Sequence, residues 1–195
     1  KKLDISTTDI TRTYPLGPLT EDEKRFYTWT LQSHIDLAKA VWLDYCECKM
    51  IDTIAREPLW RHLINYRCGT GHSVSFVGNV HEGPHALNSR NTTRMRPGMV
   101  VTDEPGVYET DLVGIRIENE LVCVHKADNQ YGTFLGFEPL MFVPIATSPI
   151  LPGVLDKDEI AWLNDYHRQV FAKLAPHLND EERSWLAEKC AAIGC

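Results

Sequence analysis

The chain has 195 residues, of which 43% are hydrophobic and 24% charged, and its formal net charge at pH 7 is −7. This length allows one domain with a substantial core, or one domain with an appended helical piece. The negative charge disfavours nucleic acid or an anionic membrane as the main partner. No apolar run approaches the roughly 20 residues that span a bilayer, and the first residues do not resemble a secretory signal.

The cysteines are scattered along the chain, without the regular spacing of a disulfide framework. Cys46 and Cys48 form one Cys-x-Cys pair, but no second pair completes a zinc site, so structural zinc is disfavoured. Scattered cysteines suit reduced thiols, and we therefore predict a cytoplasmic protein. The six cysteines are Cys46, Cys48, Cys68, Cys123, Cys190 and Cys195.

In the first third of the chain we predict one strand and two helices. The strand spans residues 3–13, which are rich in Ile and Thr. Because the chain opens inside this strand pattern, we expect it to be a piece of a longer protein. The capping-box pattern at 20–23 begins a helix that should run to about Leu43. A second helix is predicted from about 49 to 56, with Pro58 breaking or restarting it.

The remainder of the chain is strand-rich and then becomes helical. Pro149 and the Pro152-Gly153 pair mark a boundary, since proline and glycine punctuate regular elements. We therefore divide the chain into a first part, 1–148, and a C-terminal helical extension, 149–195. The predicted elements are strands over 99–102 and 113–124, an extended apolar run over 134–145, and helices over 156–174 and 180–192.

Residues 68–84 concentrate the residue types that form binding and catalytic sites. This stretch contains His72 and His81 and has glycines on both sides of a short apolar run. Glycine lets a backbone turn sharply or approach a ligand closely. Histidine binds metals and transfers protons near neutral pH. The structural alternative is a buried hairpin with two hydrogen-bonded histidines.

Three acidic residues are candidate partners of His72 in a metal site: Asp9, Glu104 and Glu118. Carboxylates with one imidazole suit a divalent ion such as Mn²⁺, Co²⁺ or Zn²⁺. So many carboxylates exceed the needs of one ion and suit two ions that share bridging oxygens, roughly 3.5–4 Å apart. Taken singly, each acid has an ordinary explanation: Asp9 at a strand edge, Glu104 in a turn, and Glu118 on a solvated strand face.

The local pattern around two of these acids agrees with a metal site. Glu104 precedes a proline, which restricts its backbone to extended conformations. Arg116 and Glu118 are two positions apart on a predicted strand, so their side chains should point to one face. An arginine beside a cluster of acids offsets their repulsion and keeps the carboxylates ionised.

Five motifs occur in the order found in a known family. They are Thr7-Thr-Asp-Ile-Thr-Arg-Thr13, Gly69-Thr-Gly-His72, Asn79-Val-His-Glu-Gly-Pro84, Met99-Val-Val-Thr-Asp-Glu-Pro-Gly106 and Gly114-Ile-Arg-Ile-Glu-Asn119. With these motifs the chain resembles the C-terminal part of a pita-bread metallopeptidase, specifically an Xaa-Pro aminopeptidase (aminopeptidase P) of the larger cytosolic type. The resemblance implies an α+β fold, a truncated pita-bread fold with a curved, mainly antiparallel sheet, flanking helices and a C-terminal helical segment.

The resemblance also implies a function and roles for the site residues. The family removes the first residue from peptides with proline at the second position, using two metals, usually manganese, with zinc or cobalt possible. Glu104 would act both as a ligand and as the general base, His81 would contact the substrate and help with proton transfer, and Arg116 would support the ligands. Homologues of this kind are often dimers. The implied metal ligands are Asp9, His72, Glu104 and Glu118.

The sequence departs from the family pattern at three places. A further Asp ligand of the family would lie before Lys1, so we expect the metal site of this chain to be incomplete and its peptidase activity to be slight. Cys68 stands where the family commonly has histidine, and Ser73 and Ser75 replace usual glycines. The alternatives are a non-catalytic pita-bread module that binds peptides or proteins, and a related enzyme such as a prolidase or a methionine aminopeptidase.

Overall fold

The structure, a computed structural model, describes residues 7–194. Its regular elements alternate early in the chain, become a run of strands, and end in helices. In chain order they are α1 (Glu21–Ala38), β1 (Val41–Leu43), α2 (Cys48–Trp60), β2 (Gly71–Ser73), β3 (Glu82–Leu87), β4 (Val100–Asp103), β5 (Gly106–Glu109), β6 (Val113–Arg116), β7 (Asn119–Asn129), β8 (Gly132–Pro139), α3 (Lys157–Leu174) and α4 (Asp180–Lys189).

Six strands form an antiparallel sheet in the order β1-β8-β7-β4-β2-β3, while β5 and β6 pair in a separate two-stranded ribbon. One apolar cluster lies between this sheet and helices α1 and α2, and includes Leu37, Ile51 and Leu121. A second cluster joins α1 to α3 through side chains such as Ile35 and Leu163. The sheet is therefore covered by helices, as the predicted α+β fold requires.

Helix α1 begins where the capping box predicts. The Thr20 side chain accepts a hydrogen bond from the Glu23 amide, and the Glu23 carboxylate accepts from the Thr20 amide. The predicted end near Leu43 is wrong, because the helix ends at Ala38. The next segment is β1, whose Val41 pairs with Gly136 of β8. Its β-branched and aromatic residues pack well in a sheet, and this pairing outweighs the helical periodicity.

Helix α2 runs through Pro58, so the prediction of a break or restart there is wrong. The helix spans Cys48–Trp60 and places the proline in its last turn. The proline cannot donate to the carbonyl of residue 54, but the helix continues for only two residues beyond it, to Trp60.

The predicted single strand over 113–124 is two strands in different sheets. In β6, Arg116 pairs with Gly106 of β5, whereas β7 begins at Asn119 and pairs with β4. Between them, Glu118 forms an isolated bridge with Thr11. Arg116 and Glu118 therefore do not lie on one continuous strand, because the backbone changes partners between them. Their side chains still share one side, towards Glu104, as predicted, while Ile115 and Ile117 both enter the second apolar cluster.

Other predicted boundaries also shift. Within the described part of the strand predicted at 3–13, only isolated bridges at Thr7 and Thr11 occur, and residues 3–6 lie outside the described residues. The extended run at 134–145 is a strand only as far as Pro139. Strand β4 confirms the short strand predicted near 99–102.

Two capped helices close the chain, as predicted. Asp156 and Asn179 are the N-caps of α3 and α4, and each accepts a hydrogen bond from the amide three positions on. Helix α4 ends at Lys189, before the predicted Ala192. None of the helices in the described range 7–194 combines the length and apolarity needed to cross a bilayer. The division at 148 and 149 stays a prediction.

Candidate metal centre

The four predicted ligands come from four different segments and meet at one place. Asp9 lies in the irregular segment before α1, His72 on β2, Glu104 directly after β4, and Glu118 between β6 and β7. The Nε2 atom of His72 is 3.2 Å from Glu104 Oε1 and 3.6 Å from Asp9 Oδ2. One ligand atom each from Asp9, His72 and Glu118 lies within 4.8 Å of the others. The structure thus brings together all four predicted ligands, which are three carboxylates and one imidazole.

Strands β2 and β4 approach closely enough to place His72 beside Glu104. A Cβ on Gly71 would lie 1.8 Å from the carbonyl oxygen of Thr102, so only glycine fits there. The Thr102 hydroxyl accepts from the His72 amide at 2.9 Å and donates to Glu104 Oε1 at 3.0 Å. Thr102 is a site residue that the sequence analysis missed, although its place two residues before Glu104 was a usable signal.

Arg116 supports Glu104 directly. Its Nη1 lies 2.9 Å from Glu104 Oε2, and its guanidinium carbon is 5.6 Å from the ring centre of Tyr108. Burial alone would raise the pKa of Glu104, but the hydrogen bond from His72 and the charge of Arg116 outweigh it, so the pKa is lowered. Glu104 is therefore held as a carboxylate, as a metal ligand or a general base must be.

Glu118 has the opposite tendency. Burial raises its pKa to about 7, the hydrogen bond from the Thr11 hydroxyl opposes this rise, and the negative charge of Glu104 adds to it. Crowded carboxylates repel one another, and a bound cation would relieve that repulsion and favour ionised Glu118. Three converging carboxylates and one imidazole are a donor set that suits hard or borderline divalent ions. The residues present therefore fit a divalent metal.

The imidazole of His72 is held between acceptors on both sides. Its Nδ1 lies 3.2 Å from the carbonyl oxygen of Ser73 while its Nε2 faces Glu104. Burial alone would lower the pKa of His72, but the hydrogen bonds to Glu104 and Ser73 and the charge of Glu104 outweigh it, so the pKa is raised. A ring whose Nδ1 is tied to a backbone carbonyl presents Nε2 to a metal in a fixed direction.

His81 has a different environment from His72. Its side chain is exposed in the loop between β2 and β3, and its ring centre is 4.0 Å from that of His72, with the planes tilted by 55°. A histidine at the rim of the cluster, beside the ligands but open to solvent, can meet a substrate. The structure thus separates the two histidines by exposure, while the backbone is the hairpin that the structural alternative proposed.

The departures from the family pattern fit the local backbone. The Cys68 thiol is half-buried and donates to the carbonyl oxygen of Gly106 at 3.7 Å. Ser73 lies on β2, and neither it nor Ser75 is among the non-glycine residues with positive φ in the described chain, which are Leu63 and Asp111. Both serines therefore occupy conformations that suit a side chain.

Three buried polar side chains that were not predicted as site residues lie next to two of the ligands. His34 of α1 places Nδ1 3.1 Å from Asp103 Oδ2, and both side chains are fully buried. Its Nε2 accepts from Asn119 Nδ2 at 3.2 Å. Burial raises the pKa of Asp103 to about 6. Asp103 precedes Glu104, and Asn119 follows Glu118. The three buried polar side chains therefore connect two ligand-bearing segments to α1.

Comparison with known proteins agrees with this fold. The chain belongs to metallopeptidase family M24: residues 3–125 match that family, and residues 133–193 match the C-terminal region of peptidase M24. The class of protein that the sequence motifs indicated is thereby confirmed.

Individual relatives place the chain more narrowly. It is 40% identical over 194 residues to aminopeptidase P1 of Lotus japonicus, a match that covers 96% of this chain and 29% of that protein. It also resembles the crystal structure of an X-prolyl aminopeptidase from Caenorhabditis elegans, a cytosolic enzyme with a di-nuclear active site, with a TM-score of 0.90 and 37% identity over 96% of this chain and 32% of that one. The chain thus spans about a third of the length of these relatives, and the predicted pita-bread fold is confirmed.

A prolidase is a more distant match. The prolidase from Pyrococcus furiosus superposes with a TM-score of 0.60 and 27% identity, over 70% of this chain and 37% of that one. The two aminopeptidases from Lotus japonicus and Caenorhabditis elegans therefore match more of this chain, and at higher identity, than this prolidase does.

Proposed function

We propose that the protein containing this chain is a metal-dependent Xaa-Pro aminopeptidase, which releases the first residue from peptides with proline at the second position. The observation that carries the proposal is the convergence of Asp9, His72 and Glu118, with ligand atoms within 4.8 Å of one another. Glu104 adds a fourth donor, 3.2 Å from His72. The resemblance to aminopeptidases P over 96% of the chain supports the peptide substrate.

The proposed cofactor is a pair of divalent ions, with manganese as the first choice and zinc or cobalt as alternatives. Asp9, His72, Glu104 and Glu118 would be their ligands from this chain. The di-nuclear active site of the Caenorhabditis elegans relative supports a pair of ions. When bound, such ions supply an activated water for attack on a peptide bond and positive charge for the oxyanion that develops.

Three side chains of the site would have roles in proton transfer, substrate binding and orientation. Glu104, held as a carboxylate by His72 and Arg116, would take the proton from the attacking water. Exposed His81 would bind the substrate near the scissile bond and move a proton there. Arg116 would keep Glu104 ionised and oriented through its 2.9 Å ion pair.

The remaining parts of the proposal concern the whole protein. Its substrates would be peptides rather than nucleic acids or membranes, its location the cytoplasm, and its assembly a homodimer. The cytosolic relative from Caenorhabditis elegans supports the location. We further propose that 1–148 is part of the catalytic domain and 149–195 a C-terminal extension.

Two other functions use the same fold. A non-catalytic binding module would not need four ligand-type side chains to converge, and their convergence favours the enzyme. A prolidase would cleave only dipeptides, and the closer match to the Caenorhabditis elegans aminopeptidase favours the longer substrates.

The test is a substrate panel with purified full-length protein in Mn²⁺. We expect release of the first residue from an Xaa-Pro-Yaa peptide, slower cleavage of an Xaa-Pro dipeptide, and no release from a Met-Ala-Yaa peptide. Metal analysis should find about two ions per chain. Cleavage of the dipeptide alone would support a prolidase, and absence of both metal and cleavage would support a binding module.

The 195-residue chain by itself is a second subject for the same assay. We expect little or no peptidase activity, since the family resemblance implies a further Asp ligand that this sequence does not contain. Clear metal-dependent release of the first residue by this chain alone would contradict that expectation and would show that four ligands suffice.

A further inference from the structure

The segment that carries Asp9 is not held by a strand ladder. Of its described residues 7–13, only Thr7 and Thr11 form isolated bridges. Side chains hold it instead: the Asp9 amide donates to Glu120 Oε1 at 2.7 Å, and the Thr13 hydroxyl donates to the Arg116 carbonyl at 2.8 Å. The place of Asp9 therefore depends on side-chain contacts more than on sheet pairing.

Arg12 makes the largest set of these contacts. Its Nη1 donates to the carbonyl oxygen of Glu118 at 2.6 Å and to that of Thr11 at 2.9 Å. Its Nη2 donates to Asn119 Oδ1 at 2.7 Å. One planar guanidinium thus joins the segment of Asp9 to the backbone of Glu118, which is a second proposed ligand.

The other side of the same guanidinium contacts the C-terminal part of the chain. Nη2 lies 2.8 Å from both the Val143 carbonyl oxygen and the Tyr166 hydroxyl, and Nε lies 3.2 Å from the Val143 and Pro144 carbonyl oxygens. The Tyr166 hydroxyl in turn donates to the carbonyl oxygen of Met141 at 3.0 Å. Tyr166 lies on α3 and is buried, so its contact with Arg12 is fixed by the packing of that helix.

We propose that Arg12 is a positioning residue, which sets Asp9 and Glu118 at metal-binding distance by tying their backbones to Val143 and to Tyr166 of α3. The C-terminal helical segment is then part of the support of the metal centre. The inference rests on the proposed function, since it takes Asp9 and Glu118 as ligands.

The geometry explains why arginine is needed. The contacts use all three guanidinium nitrogens and reach acceptors on three separate segments, which a single ammonium group cannot do. Supporting contacts of this kind typically change metal affinity about 10–100-fold when removed.

The test compares three variants of the full-length protein. Arg12→Lys keeps the charge and removes the fork, while Tyr166→Phe removes only the hydroxyl. Tyr27→Phe is the matched control, because its buried hydroxyl donates to the Ala146 carbonyl oxygen, close to Val143 and Pro144 in the chain, but does not contact Arg12. The readouts are Mn²⁺ affinity by calorimetry and hydrogen exchange of peptides covering 7–13 and 116–120.

We expect Arg12→Lys and Tyr166→Phe to weaken Mn²⁺ binding by about tenfold or more and to speed exchange in both peptides, while Tyr27→Phe changes neither. A Tyr166→Phe protein that matches Tyr27→Phe in both readouts would overturn the inference, whatever the fate of Arg12→Lys. A wild-type protein that binds no Mn²⁺ would instead contradict the proposed function, and the exchange data alone would then decide the role of Arg12.

Discussion

His72 and His81 show how neighbouring side chains of one type take different roles. Their ring centres are 4.0 Å apart, but His72 lies between Glu104 and the Ser73 carbonyl, whereas His81 is exposed. Only His72 has a ring nitrogen directed at two carboxylates, those of Glu104 and Asp9. We therefore expect metal binding and proton transfer to be separable by substitution.

The paired substitutions are His72→Asn and His81→Asn in the full-length protein. His72→Asn should lower Mn²⁺ affinity by more than about 100-fold, because a ligand is lost outright. His81→Asn should leave that affinity unchanged and lower kcat by about 10²–10⁴-fold, the usual contribution of a general acid or base. Calorimetry and steady-state kinetics measure the two effects, and equal losses of metal affinity in both variants would contradict the division.

For individual residues, the sequence predicted those that would carry the chemistry better than those that support them. Asp9, His72, Glu104 and Glu118 stand in recognisable motifs, and the structure brings them together. His34 could not be predicted as a neighbour of Asp103, since nearly seventy residues separate them and only the packing of α1 on the sheet makes the contact.

Strands β2 and β4 show how one element depends on the absence of a side chain in another. A Cβ at Gly71 would overlap a backbone atom, the Thr102 carbonyl oxygen at 1.8 Å, and a backbone atom in a paired strand cannot move aside cheaply. A Cβ at nearby Gly69 would meet the Leu87 carbonyl oxygen at 3.7 Å, which is an ordinary contact. The two glycines thus form a matched pair.

Gly71→Ala should destabilise the protein by more than about 2 kcal/mol, because overpacking forces β2 away from β4. Gly69→Ala should change stability by less than about 1 kcal/mol. Urea denaturation measures both free energies of unfolding. Equal stability of the two variants would mean that the strands do not approach as closely as the structure shows.

Elements were predictable where local signals act alone and unpredictable where distant partners decide. The capping residues Thr20, Asp156 and Asn179 lie where helices begin. The strand predicted at 113–124 contains no proline or turn signal in its middle, yet it divides at 117–118, because its first half pairs with β5 and its second with β4 and β8. Such a change of partner depends on residues far away in sequence.

Helix α3 packs against the rest of the molecule, and this packing buries one of its titratable side chains, His167. The His167 side chain on this helix is fully buried, and its Nε2 accepts from the Ile145 amide at 3.1 Å. Burial lowers its pKa from 6.5 to about 4, and the positive charge of Arg12 adds to this. The folded protein therefore holds this imidazole neutral.

The stability of the protein should consequently fall in mild acid. The unfolded chain takes up the His167 proton near pH 6.5 and the folded protein only near pH 4, so stability is complete above pH 6.5 and is lost as pH falls between these values. The full loss from this group is about 3 kcal/mol. His167→Gln should reduce the pH dependence over that range, and exposed His125→Gln should not. Urea denaturation from pH 4 to 7 measures the free energy of unfolding at each pH. Parallel plots of this free energy against pH for wild type and His167→Gln would contradict the assignment.

The central claim is that Asp9, His72, Glu104 and Glu118 bind divalent metal. Anomalous diffraction from crystals of the full-length protein grown with Mn²⁺ tests this most directly. We predict a peak within about 2.5 Å of side-chain atoms of Asp9, His72 or Glu118, and a second within about 4 Å of the first that contacts Glu104. Ordered side chains with no anomalous peak among them at saturating Mn²⁺ would contradict the account.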